Sequence, residues 1–94
     1  MWTVLIEKKA QKELDKAPEE IQQAFDTWFY LVQAGGPETL KKINGYWDHP
    51  LKQQWEGCRA SSLNKSWRVI YRAERDTVQV YVVRISAHDY GGRK

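Results

Sequence analysis

The sequence predicts an α+β fold: an N-terminal strand, a helical hairpin, then a three-stranded antiparallel meander, making a four-stranded sheet with the helices on one face. Three observations predict it. Residues 2–6 open the chain with β-branched and aromatic side chains. Two stretches of helical periodicity follow between residues 8 and 33. The second half then carries three strand-like runs divided by short polar turns.

Each element has its own reason. Residues 2–6, Trp-Thr-Val-Leu-Ile, suit a pleated strand. Residues 8–16 turn to helix formers, with Ala10, Leu14 and Ala17 spaced for one apolar face. Pro18 ends that helix or starts the next, since proline is tolerated in a first helical turn. Glu19 and Glu20 then complement the positive end of a second helix. In that helix Ile21, Ala24, Phe25, Trp28, Phe29, Leu31 and Val32 recur at three- and four-residue intervals, and Gly35-Gly36-Pro37 stops it.

Residues 38–46 leave two readings open: Leu40 and Ile43 fit a short helical turn, and Asn44-Gly45 is a turn signal. Asp48-His49-Pro50 is expected to be an irregular loop, because a proline pushes its predecessor out of the helical region. A strand is expected over 55–62, interrupted by Gly57 and containing Cys58, and a turn at 64–66. In the next strand, 67–73, Trp67, Val69 and Tyr71 alternate with Arg68, Ile70 and Arg72. The run 77–85 is the most apolar and is expected at the centre of the sheet. A tail follows from Ser86.

Ninety-four residues make one domain with one modest core. Twelve aromatics, of which five are Trp, exceed what such a core needs, so some are expected to face outward as stacking surfaces. The net charge is +3 and the pI about 9.1, a mild lean toward a polyanionic partner. Every cation before residue 59 is lysine, and arginine dominates afterwards. Arginine grips phosphate with two parallel hydrogen bonds and stacks on bases. A single cysteine, Cys58, excludes an internal disulfide and suits a cytoplasmic protein. No run is apolar enough for a signal peptide or a membrane span. Two histidines and one cysteine, without close spacing, do not match a zinc pattern, and no metal or other cofactor is expected.

Chemistry is expected at few positions. His49 sits in an aromatic-rich loop, and histidine is the side-chain type whose ordinary pKa lets it exchange a proton near neutral pH; a surface histidine capping a turn is the competing reading. His88 follows the most apolar strand beside Asp89 and Tyr90, a carboxylate to orient it and a phenol to share its proton; the competing reading is an exposed polar tail. Arg59, Arg68 and Arg84 lie on three adjacent expected strands, and on one shared face they would form a phosphate-binding patch. Alternatively they are solvated and paired with Glu56, Glu74 or Asp76. Cys58 is expected to be a packed residue, not a nucleophile.

Taken together, His49-Pro50-Leu51-Lys52, Trp55-Glu56-Gly57-Cys58-Arg59, Trp67-Arg68-Val69-Ile70-Tyr71-Arg72 and the valine-rich strand ending at His88 resemble the RelE/ParE superfamily of bacterial toxins. The His-Pro-Leu loop looks most like the YafQ and HigB branches, which cut messenger RNA, usually on the ribosome. The resemblance implies a RelE-like microbial ribonuclease fold, a cognate antitoxin, and contact with mRNA and the ribosome. By position it implies catalytic roles for His49 and His88, phosphate contacts for Arg59 and Arg68, and base stacking or proton transfer for Tyr90. Lys52, Trp55 and Arg84 would add RNA contacts. The chain departs from the YafQ pattern at Ser62 and Ser66, where those members carry acid/base residues. The ParE branch, which inhibits DNA gyrase, shares the Trp-Arg-Val-Ile-Tyr strand; the two histidines favour the nuclease. A binding module without activity is a third possibility.

Overall fold

The structure is a computed structural model and describes residues 1–87. Five strands form one mixed sheet in the order β1-β5-β4-β3-β2: β1 (Thr3–Ile6), β2 (His49–Pro50), β3 (Arg59–Ser62), β4 (Trp67–Glu74) and β5 (Gln79–Ala87). Three helices, α1 (Lys8–Lys16), α2 (Glu19–Gly35) and α3 (Glu38–Lys42), join the first strand to the rest.

The expected meander is present, β3 to β4 to β5, each pair antiparallel. The apolar strand is internal as expected: β5 lies between β4 and β1, and β1 pairs with it in parallel. The sheet has five strands where the sequence suggested four. The addition is β2, in which His49 pairs with Ala60 and Pro50 with Arg59. A two-residue strand containing proline leaves no periodicity to detect. The strand expected over 55–62 is shorter, because Gln53–Trp55 forms a 3-10 turn and Gly57 takes φ +93°. Cys58 therefore lies just before β3 rather than within a strand.

Register divides the sheet into two faces. Trp67, Val69, Tyr71 and Ala73 of β4 point into the core with Ala10, Phe25, Trp28, Val32 and Leu40 from the helices. Ser61, opposite Val69, is on that face and accepts a hydrogen bond from the Trp28 indole N–H at 2.9 Å. Trp28 also stacks on Phe25 and meets the edge of Tyr71, so one indole ties α2 to the middle of the sheet. His49, Ala60, Ser62, Arg68 and Ile70 occupy the opposite face by the same register.

A bulge re-phases β5. Ile70 pairs with Arg84 but Tyr71 pairs with Val82, which leaves Val83 as the extra residue. Val80, Val82 and Ile85 can then all be buried in the core. This is why β5 reads as nearly continuous valine rather than clean alternation. No helix among the described residues is long and apolar enough to cross a membrane.

Candidate functional site

The segment between α3 and β3 is held by one buried carboxylate. The Asp48 side chain is 0% exposed, although its neighbours in the loop reach solvent. Arg59 donates to its Oδ2 from Nε at 2.8 Å and places Nη2 2.8 Å from the same oxygen as an ion pair, and the Tyr71 hydroxyl donates to the other oxygen. An unpaired carboxylate at this depth would be costly, so Arg59 and Tyr71 are what make it tenable. The effects are mutual. Burial pushes the Tyr71 phenol well above its ordinary range, and the bond to Asp48 adds to this. Burial pulls the Arg59 guanidinium down, but the hydrogen bond and charge of Asp48 outweigh it and raise the net value.

This anchor fixes the backbone on either side. Trp47 adopts the left-handed conformation at φ 45° and ψ 49°, unusual for a bulky residue. The residue is 74% exposed. Its carbonyl accepts a hydrogen bond from Nδ1 of His49 at 2.9 Å. A carbonyl can only accept, so Nδ1 carries the proton and Nε2 of the neutral ring presents its lone pair.

His49 borders a half-enclosed cleft of about 900 Å³ lined by Gly45, Trp47, His49, Ser62, Asn64, Lys65 and Ser66. The β3–β4 turn, which also lines the cleft, is shaped by Asn64, whose Oδ1 accepts the backbone N–H groups of Ser66 at 2.7 Å and Trp67 at 2.8 Å. Trp47, Asn64 and Lys65 were not singled out from the sequence. Their aromatic, amide and ammonium groups looked like ordinary loop composition, and only the fold sets them around His49.

The arginines sort cleanly. Arg72 lies over the Tyr81 ring at 4.6 Å and pairs with Glu74 at 3.4 Å. Arg75 pairs with Glu38 at 2.7 Å. Arg84 forks onto Glu13 of α1, with Nη2 to Oε2 at 2.6 Å and Nε to the two oxygens at 2.9 and 3.1 Å. The backbone N–H of Ile85 joins the same carboxylate at 2.9 Å. Arg59 is committed to Asp48. Among the described residues Arg68 alone of the arginines has no carboxylate partner, and its Nε is buried without any hydrogen bond. It faces Ser62 across the β3–β4 ladder.

Arg59, Arg68 and Arg84 therefore do not form the shared patch expected of them. Arg59 pairs in register with Tyr71 and Arg68 with Ser62, which puts the first two on opposite faces. Glu13 draws off the third. Lys52 precedes the 3-10 turn before β3, Trp55 ends it, and neither lines the cleft. His88 and Tyr90 lie outside the described residues.

No family model and no curated relative matches the chain. Solved structures do. YafQ from E. coli superposes with a TM-score of 0.77 at 19% identity, covering 94% of this chain and 94% of that one. The archaeal RelE–RelB complex from Pyrococcus horikoshii gives 0.74 at 18% identity, covering 99% and 98%. The fold is the RelE-like toxin fold. A YoeB/ParE toxin from Agrobacterium tumefaciens shares it, at 0.73 and 10% identity over 93% of this chain and 99% of that one. At these identities the RelE-like fold is common ground while the side chains differ widely, so the chemistry rests on this chain's own cleft. In that cleft the RelE-like fold brings together a histidine, two serines, an asparagine and a lysine, with Arg68 alongside on the same face.

Proposed function

We propose that the chain is the toxin of a type II toxin–antitoxin pair, an endoribonuclease that cuts mRNA on the ribosome and so arrests translation. The observation that carries this is the pairing of His49, whose Nε2 is left with its lone pair by the Nδ1 bond to the Trp47 carbonyl, with an uncompensated arginine, Arg68, on the same sheet face.

The chemistry is metal-independent transesterification. Nε2 of His49 takes the proton from a ribose 2′-OH, and that oxygen attacks the adjacent phosphorus in line. Charge builds on the non-bridging oxygens, where Arg68 is, among the described arginines, the one not paired with a carboxylate. The 5′ oxygen leaves with a proton from His88, and Tyr90 assists or stacks beside it. Arg59 serves by holding Asp48, and through it the His49 loop, rather than by touching phosphate. The antitoxin restrains the toxin in the cytoplasm until it is released. The neighbours support this partner, since the archaeal RelE was solved bound to RelB and YafQ has been solved bound to DinJ.

The test is cleavage of mRNA by purified chain in the presence of ribosomes. His49→Ala is expected to slow cutting by roughly 10²- to 10⁴-fold, and Arg68→Ala by roughly 10²- to 10³-fold. Undiminished cutting by His49→Ala would sink the assignment. One observation favours a second reading. The cleft holds hydroxyls at Ser62 and Ser66, so His49 is the one histidine or carboxylate lining it among the described residues. A gyrase inhibitor of the same fold would need no more, and it would block DNA supercoiling while leaving mRNA intact.

A further inference from the structure

We infer that Trp47 and the Asn64–Ser66 turn form a nucleobase subsite, so that the cleft takes a single-stranded nucleotide by stacking its base on the exposed indole. The inference rests on the nucleic-acid reading above and names a residue which that reading does not use.

Trp47 serves nothing in the core. The residue is 74% exposed, the most of any tryptophan described, and its backbone sits in a region that disfavours bulky side chains. Yet its conformation is fixed on both sides. Its N–H bonds to the Asn44 carbonyl at 3.1 Å, its carbonyl is taken by His49, and the next side chain is the buried Asp48. The indole is thus an exposed, flat apolar surface carried on a fixed backbone beside the candidate base, and stacking on such a surface tolerates any base.

The Asn64–Ser66 lining is suited to a base edge. Asn64 has its oxygen locked by two backbone N–H groups, so its amide nitrogen is oriented, and that nitrogen makes no hydrogen bond among the described residues. It is a fixed donor, and every nucleobase carries ring-nitrogen or carbonyl acceptors. At about 900 Å³ the cleft is near the upper end of the ~300–1,000 Å³ typical of small-ligand sites, which leaves room for the sugar and phosphate.

Gly45 provides an independent handle. It lines the cleft, its φ is not in the left-handed region, and a Cβ built on it meets nothing within 4 Å. Gly45→Leu would therefore fold normally and fill the space.

The experiment measures the Kd of a 2′-O-methyl trinucleotide, which cannot be cut because its attacking hydroxyl is capped, against an abasic trinucleotide of the same backbone. Trp47→Ala is expected to weaken the base-bearing probe roughly 5- to 100-fold and leave the abasic probe unchanged. Trp47→Phe should stay within about threefold of wild type, because a phenyl ring still stacks. Gly45→Leu should weaken the base-bearing probe with an unchanged circular dichroism spectrum. Equal affinity of Trp47→Ala and wild type for the base-bearing probe, or an equal loss on both probes, overturns the subsite. Cleavage is scored separately: a chain that binds bases through Trp47 but cuts no mRNA keeps the subsite and loses the nuclease.

Discussion

Replacing Asp48 with alanine should be among the most damaging single substitutions in the chain, although the residue lies in a loop. Its carboxylate is 0% exposed and takes two contacts from Arg59 at 2.8 Å and one hydrogen bond from the Tyr71 hydroxyl. Asp48→Ala removes the acceptor and leaves both donors. Breaking a buried ion pair in this one-sided way costs roughly 3–5 kcal/mol. Arg59 is 28% exposed and can be partly rehydrated, so the lower end applies, about 3 kcal/mol. For a domain of this size each kcal/mol lowers Tm by roughly 4–8 °C, giving a fall of about 12–24 °C. Tyr71→Phe removes one donor and leaves the Asp48–Arg59 pair intact, so it should cost only about 1–2 kcal/mol. Thermal and urea unfolding followed by circular dichroism give both numbers. The double variant should cost clearly less than the two single costs added, since the residues share one network. If Asp48→Ala proves milder than Tyr71→Phe, or the two simply add, the anchor described here is not what holds the loop.

The remaining expectations touch other parts of the molecule. Because burial raises the Tyr71 phenol, its stabilising contribution is intact below the ordinary tyrosine value of about 10 and is lost as pH climbs above it; Tyr71→Phe should flatten that alkaline limb of a stability–pH curve. Burial works to raise the Glu13 carboxyl, but the Arg84 fork and the Ile85 N–H outweigh it and hold it low, so its contribution is present above about pH 4.3 and fades as pH falls below that. Glu13→Gln should remove this acid-side loss, seen as a shallower acid limb in urea midpoints. Gly36 has φ +80° and ψ +179°, a region open essentially only to glycine, and a Cβ there would lie 2.4 Å from Nε1 of Trp2; Gly36→Ala should cost about 2 kcal/mol or more by thermal unfolding. Lys52→Ala and Trp55→Ala, whose side chains lie off the cleft, should reduce mRNA cutting less than Arg68→Ala does in the same assay.

Local chemistry carried most of the fold. Helix α2 was readable because its apolar residues keep one period for four turns and Gly35-Gly36-Pro37 closes it. The faces of β4 were readable from alternation, and the central place of β5 from its valines. What failed depended on register. Whether Arg59 shares a face with Arg68 turns on whether the connecting turn holds an odd or even number of residues, and a one-residue change inverts the answer. The bulge at Val83 likewise leaves no mark except an apolar run that is too regular. Within the site, His49 was visible as a residue type, but its buried neighbour Asp48 looked like one more loop acid. The pairing with Arg59 and Tyr71 exists only after three separate segments meet.

The parallel union of β1 and β5 also governs the order of events during synthesis. Thr3 pairs with Gln79 and Ile6 with Val82, so a strand made first waits for the strand made last among the described elements. The helices can form locally as the chain emerges, but β1 has no partner in the sheet until β5 arrives between it and β4. Such long-range closure is slow compared with helix formation. An incomplete chain therefore leaves β4, the strand that carries Arg68, with one edge unpaired. A product truncated before Gln79 would lack the strand that joins β1 to β4, and it is expected to be inert in the mRNA-cutting assay.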